Sequence, residues 1–234
     1  MGKATADDFA NRDERGLVKT PGRPADEAAE RVFYFKLYAT WMTNVGPALA
    51  WLVYWLLGQL APAARARCDA KLALVREHEL GWLYATWLVV FFARTYLAIN
   101  ANGARAAARL DRPDQHIYKL MANPAAGPSS AALADAPYVL MENTGAAGRF
   151  NRAQRAAANM DEGLPVLLAG LLLSALVFGP LALALALANA YGRLRYAALY
   201  KLDKDQRLAG FVPAQLAEQV VGGLVGLVAV KTLL

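Results

Sequence analysis

The chain has 234 residues, 57% hydrophobic and 19% charged, with 25 Lys and Arg against 19 Asp and Glu for a net charge of +6. Soluble domains average about 45–50% apolar and about 25% charged, so these figures argue against a soluble α/β enzyme, a disordered chain or a secreted disulfide scaffold. The single cysteine, Cys68, leaves no intrachain disulfide, and with only His78 and His116 beside it no zinc pattern exists, so no metal is expected.

Residues 1 to about 30 are polar and of mixed charge, with Pro21, Gly22 and Pro24 and no apolar periodicity, which predicts a solvated tail. Asp7, Asp8, Asp13 and Glu14 argue against a transit peptide, and Ala6 stands where a myristoylation signal needs Ser or Thr, so the tail is expected to be retained. The first uncharged run, Leu37 to Ala64, lies between Lys36 and Arg65 and carries Trp41, Trp51 and Trp55. At about 1.5 Å per residue it crosses a roughly 30 Å hydrocarbon layer even when tilted, with a kink expected at Pro47. Residues 65–79 are dense in charge and read as a connection. A second span runs from Leu80 to about Ala104; its one charge, Arg94, either snorkels or faces a partner helix. The segment Leu37-Tyr-Ala-Thr-Trp41 recurs as Leu83-Tyr-Ala-Thr-Trp87, too short a match to establish a helix duplication.

From Arg105 to Phe150 the chain is polar and carries Pro113, Pro124, Pro128 and Pro137, too long for an ordinary connection and therefore either functional or loosely ordered. Between Glu162 and Arg193 come thirty residues without a charge. As one helix they would measure about 45 Å, and Gly179-Pro180 falls near their midpoint. Proline disfavours helical backbone in the residue before it, so two helices joined by a tight turn are predicted, beginning near Arg152 and ending near Asp203. Such a hairpin returns both charged ends to one side of the membrane. The last span covers about Val212 to Leu234, with Gly222, Gly223 and Gly226 available for close packing. With five spans, twenty Lys and Arg fall on the side of the N-terminus and five on the other. That bias predicts the N-terminal side to be cytoplasmic or its equivalent, and it accounts for the net charge without a nucleic acid partner.

Two polar strips meet on that side. Arg155, Asn159 and Glu162 are spaced by four and three, hence on one helical face; after the hairpin come Arg193, Arg195, Tyr196, Tyr200 and Arg207, with Tyr196 and Tyr200 one turn apart. Guanidinium, amide, carboxylate and phenol together suit a small zwitterionic peptide better than a lipid headgroup. Two plainer readings stand beside that one: Arg and Tyr are common at every membrane interface, and Arg155 with Glu162 can form a structural ion-pair network.

The pattern Arg155-x-x-x-Asn159-x-x-Glu162-x-x-Pro165, an apolar hairpin, then Arg193-Leu-Arg195-Tyr196-x-x-x-Tyr200 and Arg207 resembles the MAPEG superfamily over residues 81–234. These membrane-associated proteins of eicosanoid and glutathione metabolism include microsomal glutathione transferases and leukotriene C4 synthase. The resemblance implies an all-α, polytopic membrane helix bundle assembled as a homotrimer, with glutathione as co-substrate held between subunits at the cytosolic rim. It assigns Arg155, Asn159, Glu162, Arg193, Tyr196 and Tyr200 to glutathione binding and Arg207 to stabilising the thiolate, with Arg105 or Arg109 in the basic pair that ends the first family helix. Ala157 and Gly163 depart from the polar or aromatic residues of leukotriene C4 synthase. The implied division is a tail at 1–31, an additional transmembrane helix at 32–64, a charged connection at 65–80 and a four-helix domain at 81–234 with a long loop at about 110–150. The implied activity is a glutathione transferase or peroxidase acting on a lipophilic electrophile drawn from membrane lipid. The alternative is a non-catalytic accessory or scaffold subunit of a hetero-oligomeric membrane complex. Endoplasmic reticulum, mitochondrial membrane and bacterial inner membrane fit equally.

Overall fold

A computed structural model describes residues 10, 13, 17–19, 26–110, 115–120 and 139–234. Most of the 1–31 tail and most of the 110–150 segment therefore lie outside the described residues. Helix α1, Glu27–Thr40, starts ten residues before the uncharged run, because Asp26 caps it by accepting from the Ala29 N–H. It passes through a π-helical turn, Trp41–Val45, into α2, Gly46–Leu60. Pro47 supplies no N–H to the preceding turn, and the column absorbs the missing bond by widening there. Thr43 completes the turn by donating its hydroxyl to the Ala39 carbonyl at 2.7 Å.

The charged stretch between the first two runs is itself helical, forming α3, Pro62–Glu77. It is rich in Ala, Leu and Arg, all strong helix formers, and Pro62 occupies the first-turn position that proline favours. Arg65 and Asp69 pair at 3.1 Å one turn apart; the Tyr54 hydroxyl donates to Asp69, and the Arg65 guanidinium lies 3.4 Å above the Tyr54 ring. These contacts fold α3 back beside α2.

Helix α4 spans Gly81–Gly103, followed by the single-turn α5, Arg105–Ala108. A short antiparallel ribbon pairs β1, Tyr118–Leu120, with β2, Val139–Met141, Lys119 opposite Leu140. Strands of three residues carry no alternation that a sequence reading would register. Helix α6, Gly145–Val177, and helix α7, Gly179–Leu202, form the hairpin, broken at Phe178 as Gly179-Pro180 predicts. A 3-10 turn, Lys204–Arg207, leads into α8, Leu208–Leu233.

Among the described residues three stretches are long and apolar enough to cross a membrane: Gly81–Ala108, Gly145–Val177 and Lys204–Leu233. Helix α7 packs against α4, α6 and α8. Leu97, Met160, Leu171 and Ala197 are buried at this junction. The α7–α8 seam is set by glycine: a Cβ on Gly210 would lie 2.1 Å from the Tyr196 nitrogen, and one on Gly192 would lie 2.5 Å from the Ala214 nitrogen. Gly222, Gly223 and Gly226, the expected packing glycines, meet nothing within 4 Å; a missing side chain permits close approach but does not supply the partner.

Helix α1 is tied to this bundle by two carboxylates. Glu30, fully buried, accepts from the Ala106 N–H at the start of α5, and Glu27 bridges Lys201 (2.7 Å) and Arg149 (3.5 Å). Arg109, in a left-handed conformation, pairs with Asp13 at 2.7 Å and donates to the Val18 carbonyl.

Candidate functional site at the membrane rim

Helix α6 has 33 residues, about 50 Å at the helical rise, so it outruns a roughly 30 Å hydrocarbon layer. Its first turns are organised by side chains on the approach. Glu142 accepts from the Thr144 hydroxyl (2.7 Å), the Thr144 N–H (2.9 Å) and the Asn143 N–H (2.8 Å). The Thr144 hydroxyl, the Thr144 and Asn143 amides and the charge of Lys119 hold its carboxyl below the usual range. Arg152 donates to the Asn143 carbonyl at 2.7 Å and to the Lys201 and Leu202 carbonyls at 3.2 and 3.3 Å. It thereby caps the C-terminus of α7 and complements the negative end of that helix dipole. The start of α6 and the end of α7 are fixed at one rim by this single side chain.

On that scaffold the two strips come together. Arg155 reaches two turns along α6 to Glu162 at 2.9 Å. Asn159, between them, donates to the Tyr196 hydroxyl at 3.0 Å across the α6–α7 gap. The Tyr196 and Tyr200 rings lie 5.3 Å apart, inclined by 31°. Arg207 ends the 3-10 turn, exposed, with Tyr196 within reach of its charge. Beside these residues opens a groove of about 410 Å³ lined by Asn143, Arg152, Arg155, Tyr200, Asp203 and Lys204 among others. Arg155 and Glu162 are 46% and 60% exposed, so their mutual attraction in water contributes little to stability. Each remains available to exchange its partner for the opposite charge of a ligand.

Of the predicted residues Arg155 and Tyr200 line this groove, Asn159, Glu162, Tyr196 and Arg207 are not among its lining residues, and Arg193 and Arg105 lie in helix packing. Arg193 pairs with Glu218 of α8 at 3.1 Å, largely buried, because the glycine contacts of the seam bring α8 against that face of α7. Arg105 is 4% exposed with its guanidinium 5.1 Å over the Phe150 ring, inside the packing of α5 on α6. Arg94, left open between snorkelling and pairing, pairs with Asp161 at 3.0 Å across α4 and α6. Arg152, Asn143 and Lys204 escaped the sequence reading. Each acts through a backbone carbonyl or a loop position, and only the charge of Arg152 just before the Arg155 strip hinted at a role.

The model of the MAPEG family matches residues 80–225, more than half of the chain, and the protein belongs to that family. It is an integral membrane protein, an all-α helix bundle of a family that serves glutathione and eicosanoid metabolism, generally with glutathione and often as trimers. No curated protein matches the chain. The match begins at the start of α4, so α1, the π turn, α2 and α3 stand outside it.

Proposed function

We propose that the protein is a membrane-bound glutathione transferase or peroxidase that acts on a lipophilic electrophile at the groove between α6 and α7. One observation carries the reading: opposed charges on Arg155 and Glu162 flank a hydrogen-bonded Asn159–Tyr196 pair at a single rim. Arg155 offers a two-pronged donor to a glutathione carboxylate, Glu162 accepts from the ammonium group, and Asn159 with the two phenols reads the peptide amides. Arg207 faces the thiol. A thiol with a pKa of about 8.5 is only about 3% ionised at pH 7, and a fixed guanidinium raises that fraction. The thiolate then forms a carbon–sulfur bond to an electrophilic carbon as the displaced group leaves with its bonding electrons and the thiol proton passes to water. With a hydroperoxide it attacks the terminal oxygen, the O–O bond breaks, the alcohol leaves with a proton, and a second glutathione converts the resulting sulfenic acid to the disulfide and water. Arg193 and Arg105, placed in helix packing, serve as positioning residues.

A trimer is part of this reading, with the open faces of Gly222, Gly223 and Gly226 turned to a neighbouring copy, and so is an N-terminus on the cytoplasmic-equivalent side. The second reading, an accessory subunit of a larger assembly, draws on the helices outside the family match, anchored through Glu27 and Glu30. Ultraviolet absorbance of the glutathione thiolate separates the two. Wild-type protein should generate thiolate at neutral pH and Arg207→Ala should abolish most of it. Absence of thiolate in the wild type, with no heat of binding, would leave only the accessory reading.

A further inference from the structure

Two chambers under the additional helix play no part in the rim site. One, of about 570 Å³, lies between the start of α1, the second half of α4 and the end of α7. Its lining sets Arg31, Arg149 and Lys201 against Asp26 and Glu27, a surplus of one positive charge. Glu27 is shared by Lys201 and Arg149, and Asp26 caps α1. Arg31 makes no ion pair among the described residues. Asn100, only 4% exposed, lines the same chamber, and its amide nitrogen has no hydrogen-bond partner among them. A buried donor without an acceptor is costly, and native structures seldom leave one so.

The other chamber, of about 490 Å³, is almost wholly apolar, walled by Phe35, Ala39 and Met42 on one side and Phe92, Ile99 and Leu187 on the other. The sequence neighbours Met42 and Thr43 both border it, at the π-helical turn. The Thr43 hydroxyl is engaged by the Ala39 carbonyl, so little polarity remains for a ligand to meet there. Tyr96 lines both chambers, which sets a polar space at the rim directly beside an apolar trough. Each volume falls within the range of small-molecule sites.

We infer that α1 and the family core together hold a single-chain amphiphile with an anionic head, carboxylate or phosphate, its head beside Arg31 and Asn100 and its chain between the π turn and α4. The charge surplus, the uncommitted guanidinium and the unsatisfied amide donor all call for acceptor oxygens, and the trough calls for an aliphatic chain. The site is separate from the rim groove, with which the polar chamber shares only Leu202. It does not depend on the glutathione reading.

The test is native mass spectrometry of the delipidated full-length protein with oleate, oleoyl lysophosphatidate, monoolein or inorganic phosphate added separately. One oleate or one lysophosphatidate per chain is expected, whichever binds the tighter naming a fatty-acid or a phospholipid source. Monoolein should bind at least tenfold more weakly, and phosphate alone should not be retained. Arg31→Gln should weaken the anionic ligands about tenfold and leave monoolein unchanged, whereas Ala39→Trp, which fills the trough, should weaken every chain-bearing probe. Circular dichroism and elution volume check that both variants are folded. Equal affinity for monoolein and oleate, phosphate binding that needs no chain, no anionic amphiphile bound, or wild-type affinity in both variants would each overturn the inference.

Discussion

Replacing Gly210 by alanine tests how closely the site depends on the α7–α8 seam. The added Cβ would sit 2.1 Å from the Tyr196 nitrogen, 2.5 Å from its Cα and 2.6 Å from the Gly192 carbonyl oxygen. Every one of those neighbours is backbone, which cannot rotate away. Ordinary contact begins at 3.4 Å, so α8 must retreat from α7 by about an ångström. Overpacking of this kind costs about 1–3 kcal/mol, and here it also shifts Tyr196, the partner of Asn159. The assay is thermal unfolding in detergent together with glutathione titration. Gly210→Ala should lower the Tm by several degrees and weaken glutathione binding about tenfold or more. Gly81→Ala, where nothing lies within 4 Å of the new Cβ, should leave both unchanged. A Gly210→Ala protein with the wild-type Tm and wild-type glutathione affinity would refute the seam as drawn.

Other consequences are equally direct. Tyr196→Phe removes the acceptor of the Asn159 amide, which should cost about 1 kcal/mol and raise the KM for glutathione a few-fold while kcat changes less. Glu142 has a folded pKa below its unfolded value, so its contribution is present above the unfolded pKa of about 4.3 and disappears as pH falls through the lower folded value. Stability measured from pH 5 downwards should therefore drop more steeply in the wild type than in Glu142→Gln. Removing Glu27 leaves Lys201, 6% exposed, without its carboxylate; Glu27→Gln should destabilise the docking of α1 by about 3 kcal/mol, seen as faster proteolysis between α1 and α4 with the family core left intact. Arg94→Ala and Asp161→Ala should each cost more than half of what the double variant costs, because they share one ion pair.

What could be read beforehand follows from whether the governing physics is local. The hairpin break was legible because Gly179-Pro180 constrains its own backbone, and the shared face of Arg155, Asn159 and Glu162 because helical spacing alone sets it. Helix α3 was not: charge density at Arg65, Arg67, Asp69 and Lys71 masked the helix-forming residues that carry it. The true partner of Arg193 depends on the register of α8 against α7, which two glycine contacts fix. Nothing near Arg193 in the chain encodes Glu218. The same holds for Arg94 and Asp161, and for the burial of Arg105 over Phe150. Within one chain the close packing is made by glycines 192 and 210, while those at 222, 223 and 226 meet nothing within 4 Å.

The proposed function requires the paired charges of α6 and the phenols of α7 to grip one glutathione at a common rim. Isothermal titration of glutathione into the wild type, Arg155→Ala and Glu162→Gln measures it most directly. Binding by the wild type, weakened about tenfold or more in each variant, is the predicted result. Glutathione that fails to bind the wild type, or that binds all three proteins alike, would contradict it.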